Sequence, residues 1–242
     1  MGSPHLVQAL QRIQPALKRG ARPIFVFDLD STLLDTGQRH LAIFRDFAAS
    51  TAKRQGPVWD ALRALVPDLA ASDFGYDVTD PLLAAGIRSD RLERALLDYW
   101  SDRYFTNEYC VVDEPAPGAV SYVVRAHAEG AFVQYLTGRP EERMRRGTEK
   151  TLQRHRFPTG EGTGLRLRPR DLRADKDFKV VAGRRIARQG EVVAQFENEP
   201  ANANALIGIF PGAMHFLVGS VRSSAPVTPH ESLLPIPDFT LP

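Results

Sequence analysis

Two aspartates one residue apart, Asp28 and Asp30, follow directly on the apolar run Ile24-Phe25-Val26-Phe27. Such a run reads as a buried strand. Both carboxylates then stand just past its carboxyl end, the rim where open α/β sheets bind ligands. Two acids held there are costly unless something cationic lies between them. A divalent metal together with a phosphate-bearing substrate answers that demand. The same residues also suit a plain turn, since Asp and Ser are common turn formers.

Three further segments carry chemistry of a matching kind. Ala131–Leu136 reads as a strand and ends on Thr137-Gly138-Arg139-Pro140. Gly138 lets backbone approach a ligand closely, and the helix that follows offers free N–H groups to an anion. Thr137 also suits an ordinary helix cap. Lys176 and Lys179 enter a helix after a polar loop. The strand Val192–Phe196 ends on Glu197-Asn198-Glu199-Pro200. Mg²⁺ takes oxygen ligands, and an Asn carbonyl supplies one. Asn198 and Glu199 would equally open a capped turn.

The run Asp28-Leu29-Asp30-Ser31-Thr32 resembles the first motif of the haloacid dehalogenase-like hydrolase superfamily, and the later segments resemble its other three. The likeness is to the phosphatase branch with a helical cap between the first two motifs. It implies that Asp28 is the nucleophile and Asp30 the general acid and base. It implies that Thr137, Gly138 and Lys179 bind the phosphoryl group, with Thr32 and Arg139 as further substrate-binding candidates. Lys179 is preferred to Lys176 because it lies closer to the family's placement. For metal it implies Mg²⁺ on Asp28, on the main-chain carbonyl of Asp30 and at the Glu197-Asn198 tip. Many relatives have two aspartates at this tip. By resemblance to relatives with an Asp-Asn pair, Asn198 is the direct ligand and Glu197 holds a metal-bound water or the lysine. The reverse assignment stays open.

The activity implied is Mg²⁺-dependent hydrolysis of a small phosphorylated metabolite through an aspartyl-phosphate. The alternatives are a non-catalytic or regulatory binding protein of the same fold, a phosphomutase, and a nucleic-acid end phosphatase. A dehalogenase needs no acid at Asp30, which argues against it.

These residues need a scaffold that brings distant strand ends together. Past residue 112, strand and helix alternate, which predicts a Rossmann-like, doubly wound parallel sheet. From Gln38 to Val112 the pattern is helical, with breaks at Gly56-Pro57, Pro67, Gly75 and Pro81. The expected organisation is a core of residues 1–37 and 113–222, a helical cap of 38–112, and an irregular proline-rich tail of 223–242.

The chain has 242 residues, 43% hydrophobic and 25% charged, which permits a sizeable core. Its one cysteine, Cys110, excludes an intrachain disulfide. No apolar stretch approaches the roughly 18–20 residues of a membrane helix, and residues 1–6 do not show the basic n-region followed by an apolar h-region expected of a secretory signal. A cytoplasmic protein without a membrane partner is expected. The net charge of +2 hides an asymmetry: residues 139–189 hold 16 Lys and Arg against 7 Asp and Glu. That half could steer an anion. Scattered arginines without interleaved aromatics make nucleic acid a poor candidate. Nothing in the sequence addresses oligomeric state.

Overall fold

Every residue of Pro23–Phe27 (β1) is buried. A strand with no wet face needs neighbours on both sides and helices over both faces. The computed structural model describes residues 2–172 and 174–242, so Met1 and Arg173 lie outside the description. The later strands are Leu34–Asp35 (β2), Glu114–Pro115 (β3), Phe132–Pro140 (β4), Thr163–Arg168 (β5), Glu191–Glu197 (β6), Met214–Val218 (β7) and Leu234–Ile236 (β8). Six of these strands form one parallel sheet in the order β5-β4-β1-β6-β7-β8. The chain winds outward from β1 through β4 to β5, then crosses back and winds the other way from β6. The switch point therefore falls between β1 and β6, where α/β sheets open a crevice for ligands. This is the doubly wound α/β architecture expected from the alternation of elements.

Alternate residues of β1 serve opposite faces. Phe25 and Phe27 pack with Leu6, Tyr122 and Phe196, whereas Ile24 and Val26 pack with Phe178, Ile186 and Leu206. Phe27, Phe196 and Phe216 stack across three strands at 4.7 and 4.5 Å between centroids.

The stretch 38–112 contains no strand among the described residues. Its main helices are Gly37–Ser50, Pro57–Leu65 and Asp90–Tyr104. Ser89 caps the third, its Oγ accepting from Leu92 N at 3.3 Å. Leu41, Phe44, Phe47, Trp59, Leu62, Leu92 and Leu96 form a hydrophobic cluster separate from the core. Strands β2 and β3 pair antiparallel, Leu34 with Pro115 and Asp35 with Glu114, and clip the two ends of this insertion together.

The tail corrects an expectation. Residues 223–242 are not irregular throughout, because β8 extends the sheet beside β7. Proline is tolerated in an edge strand, so Pro235 does not prevent pairing. Phe239 is fully buried against Phe27, Tyr122 and Phe196. A Cβ on Gly118, at φ +73°, would lie 2.5 Å from the Phe239 carbonyl, so glycine there lets the tail dock. Among the described residues no helix is long and apolar enough to cross a membrane.

If the tail completes the core, Phe239→Ala lowers the unfolding free energy by about 3–5 kcal/mol. Val227→Ala, in the exposed part of the same tail, changes it by less than about 0.5 kcal/mol. Urea denaturation of both variants checks the contrast.

Candidate active site

The hydrogen bond from Asp28 N to Phe196 O, 3.1 Å, carries the pairing of β1 and β6 one residue beyond β1. After Asp28 the chain turns sharply. Thr32 N and Leu34 N both reach Leu29 O, at 3.1 and 2.9 Å, and Ser31 takes a left-handed φ of 55°. Leu29, Leu33 and Leu34 are fully buried and anchor the turn from below. Of the residues between them, Asp30 and Ser31 face a cavity of about 420 Å³ that is also lined by Asp28, Thr137, Gly138, Lys179, Glu197 and Asn198. Seven of the residues singled out in the sequence thus share one space.

Lys179 is the hub. Its Nζ lies 2.8 Å from Asp28 Oδ1, 2.7 Å from Glu197 Oε2 and 3.5 Å from Asp175 Oδ2. The helix Asp175–Ala187 carries it, and Phe178 beside it is buried under the sheet. Lys176, the other candidate, is exposed. Burial disfavours the Lys179 ammonium, but Asp28, Glu197 and Asp175 outweigh it and hold the pKa well above the usual value. The acids respond the other way. Burial pushes Asp28 up to about 6 against the pull of Lys179. Burial and the neighbouring Asp28 push Glu197 up to about 8.

Asn198 is oriented by two bonds. Its Nδ2 donates to Val221 O at 2.6 Å, and its Oδ1 accepts from Thr32 Oγ1 at 3.3 Å. Thr32 is fully buried, so its hydroxyl ties this loop to the first motif. Glu197 Oε1 accepts from Glu199 N at 3.2 Å. Both Glu197 oxygens are therefore engaged.

Thr137 does not end its strand as expected. Strand β4 continues to Pro140, with a break in register after Thr137. The Thr137 hydroxyl accepts from Arg139 N at 3.3 Å. A Cβ on Gly138 would meet Asp175 Oδ1 at 2.2 Å, so any larger residue there would displace the Asp175 carboxylate.

Arg139 is not free to meet phosphate in this arrangement. It is buried, and its Nε and Nη2 donate to Asp30 Oδ1 at 3.0 and 2.5 Å. Nη2 also reaches Asp113 Oδ2 at 2.6 Å, and Nη1 donates to Thr148 Oγ1 at 3.1 Å. Arg39, in the first turn of the helix Gly37–Ser50, joins the cluster. Its Nη2 lies 2.8 Å from Asp30 Oδ1, its Nε donates to Asp113 Oδ1 at 2.9 Å, and Nη2 also bonds Asp113 Oδ2. Burial alone would raise the Asp30 pKa, but Arg139 and Arg39 reverse this and hold it well below the carboxylate range.

Sequence reasoning missed Arg39, Asp113 and Asp175. Arg39 and His40 fall four residues before Ile43 and Phe44 on the apolar face of their helix, a position where a charge needs a partner. Asp175 lies four residues before Lys179, a spacing that brings both onto one helix face. Asp113 has no local signal. Its partners come from residues 74 and 26 positions away.

The donor set suits Mg²⁺. It is all oxygen, and Asp28 uses only Oδ1 on the lysine. Asp28 and Glu197 share one ammonium, with Asp175 beside it, so negative charge is in excess where a cation would sit. Among the described residues no three His, Cys, Asp or Glu side chains stand together as a cage. Mg²⁺ commonly uses one or two carboxylates plus substrate phosphate rather than such a cage.

No protein-family model matches the chain, and no curated protein matches it. Solved structures do. A protein from Clostridium difficile provisionally assigned as a phosphatase aligns with a TM-score of 0.54 at 13% identity, covering 84% of this chain and 88% of that one. A haloacid dehalogenase-like hydrolase family protein from Streptococcus pneumoniae aligns at 0.49 and 11% identity, over 86% and 89%. Protein Tyrosine Kinase A of Mycobacterium tuberculosis aligns at 0.48 and 18%, over 84% and 87%. The chain shares the fold of the Clostridium difficile protein.

Asp113→Ala leaves two buried guanidinium groups sharing one carboxylate. It should cost about 3–5 kcal/mol in a urea titration. A loss below about 1 kcal/mol, as for an exposed pair, would show that the cluster is not formed.

Proposed function

We propose that the protein is a Mg²⁺-dependent phosphomonoester hydrolase that works through an aspartyl-phosphate on Asp28. The observation that carries this reading is the convergence of Asp28, Thr137 and Glu197, from three adjacent parallel strands, with Lys179, from the helix Asp175–Ala187, around one cavity. The substrate class is a small phosphorylated metabolite.

Asp28 attacks phosphorus from the side opposite the leaving oxygen, forming the acyl-phosphate bond as the ester P–O bond breaks. The Lys179 ammonium and the Thr137 hydroxyl take up charge on the transferring oxygens. Glu197 fixes Lys179 against Asp28 and does not itself touch the phosphoryl group. Water then attacks phosphorus and releases Asp28. When bound, Mg²⁺ would be held by Asp28, the Asp30 carbonyl and Asn198, and it would neutralise charge between nucleophile and phosphate. Thr32 holds Asn198 in position for this.

Asp30 moves the protons. Its clamp by Arg39 and Arg139 keeps it ionised, the form that accepts a proton from water in the second step. To protonate the leaving oxygen in the first step it must leave the clamp. Arg39 belongs to the cap, so cap movement would withdraw one of the two guanidinium groups; Arg139, on β4, must let go as well. The same clamp favours the competing reading, a binding protein that kept the fold without turnover.

Hydrolysis of p-nitrophenyl phosphate tests both. The protein should turn it over only with Mg²⁺, and Asp28→Asn should abolish the activity. Asn198→Ala should raise the Mg²⁺ concentration for half-maximal rate by at least about tenfold, roughly 1.4 kcal/mol. Asn198→Asp should preserve activity. Full turnover by Asp28→Asn would refute the mechanism. Phosphate binding without hydrolysis of any ester would favour the binding protein.

A further inference from the structure

The floor of the cavity handles the phosphoryl group; its cap wall is of different chemistry. His40, Trp100, Tyr104 and Phe105 face the same space as Asp28. The His40 ring lies 5.9 Å from Trp100, tilted by only 13°, and 4.9 Å from Tyr104. Trp100 and Tyr104 are 4.6 Å apart. Trp100, Tyr104 and Phe105 are only part-buried, and Tyr76 and Leu97, 54% and 42% exposed, border the same space. Large rings left uncovered around a cavity are surface that a flat ligand would cover.

Packing within the cap explains part of this wall, since Trp100 also touches the cap cluster. Two polar atoms are not explained by packing. His40 Nδ1 and Trp100 Nε1 are buried and have no hydrogen-bond partner. Buried polar groups are nearly always paired, and each orphan costs stability. Both sit in rings of this one wall. Burial and Arg39 push His40 down to about 4, so its imidazole is neutral. The indole N–H only donates, whereas a neutral imidazole nitrogen takes either role. A hydrocarbon ring would leave both atoms unpaired. Both atoms are sealed from solvent, so a ring with nitrogen and carbonyl edges pairs them only when the wall opens to receive it.

The wall also lies where an alcohol leaving group must go. Arg39 bonds Asp30 at 2.8 Å and stacks over the Tyr104 ring at 4.5 Å. The aromatic surface therefore begins one guanidinium away from the carboxylate assigned to the leaving oxygen. The cavity of about 420 Å³ is within the roughly 300–1,000 Å³ of small-molecule sites.

We propose that this wall is the leaving-group subsite and that the substrate is the phosphate ester of an alcohol carrying a flat heteroaromatic ring, as in a nucleoside monophosphate. The proposal rests on the phosphatase reading of Asp28. The same primary ester with and without the ring isolates the wall's contribution. With Mg²⁺, adenosine 5′-monophosphate should exceed ribose 5-phosphate in kcat/KM by at least about tenfold. Phenyl phosphate and the nucleotide compared on Trp100→Phe separate stacking from hydrogen bonding: the nucleotide should lose at least about threefold relative to phenyl phosphate. In Trp100→Leu the nucleotide-to-ribose-phosphate ratio should fall toward one. Equal kcat/KM for nucleotide and ribose phosphate in the wild type, or an intact ratio in Trp100→Leu, overturns the subsite while leaving the phosphatase reading in place. If none of the three esters is hydrolysed, the phosphatase reading fails, and tryptophan fluorescence decides the subsite. Quenching by the nucleotide and not by ribose 5-phosphate supports it; no quenching by the nucleotide overturns it.

Discussion

One ammonium group organises this molecule's chemistry. Lys179 Nζ sits buried between Asp28 and Glu197, at 2.8 and 2.7 Å, with Asp175 at 3.5 Å. Without it, Asp28 and Glu197 would repel each other in a place with little water to screen them. Several features of the fold serve to deliver it. Strands β1 and β6 are adjacent and parallel, so Asp28 and Glu197 reach the same rim. Phe178 and Ile186 press the helix Asp175–Ala187 onto the sheet and aim the lysine at that rim. The arrangement is attractive overall but leaves excess negative charge, which explains why a cation and an anionic substrate suit it together.

A second charge cluster lies beside the first and has a different character. Arg39 and Arg139 face Asp30 and Asp113, two cations against two anions, so the cluster is balanced. It joins the cap, through Arg39, to the first motif, to β4 and to the base of the insertion. Removing any one member leaves an uncompensated buried charge. Arg39 thus ties the helical insertion to Asp30. In the arrangement seen, the two guanidinium groups favour the ionised Asp30 carboxylate, and the hydrophobic cluster of residues 41–96 is separate from the core of the sheet.

Much of this was legible in the sequence because it is local. An apolar strand followed by Asp28-Leu29-Asp30 and the alternation of strands and helices after residue 112 both report short-range patterns. The choice of Lys179 over Lys176 also agrees with the burial of the two residues. What was missed depends on pairing at long range. Arg139 reads as a phosphate ligand from its place beside Thr137-Gly138. Its actual partners, Asp30 and Asp113, are 109 and 26 residues away. The strand β8 has three residues with a proline at its centre, too short for any periodicity to show. Phe239 is a lone aromatic among prolines, and its burial follows only once the sheet edge is in place.

The central claim is that Asp28 is a nucleophile and not merely an anchor for Lys179. Acid quenching of the protein during turnover of an aryl phosphate with Mg²⁺, followed by peptide mass analysis, tests this directly. The account predicts a phosphoryl group on the peptide containing Asp28, absent when the substrate is exhausted and absent in Asp28→Asn. Steady turnover with that peptide unmodified throughout, or a phosphoryl group trapped on another residue, would contradict it.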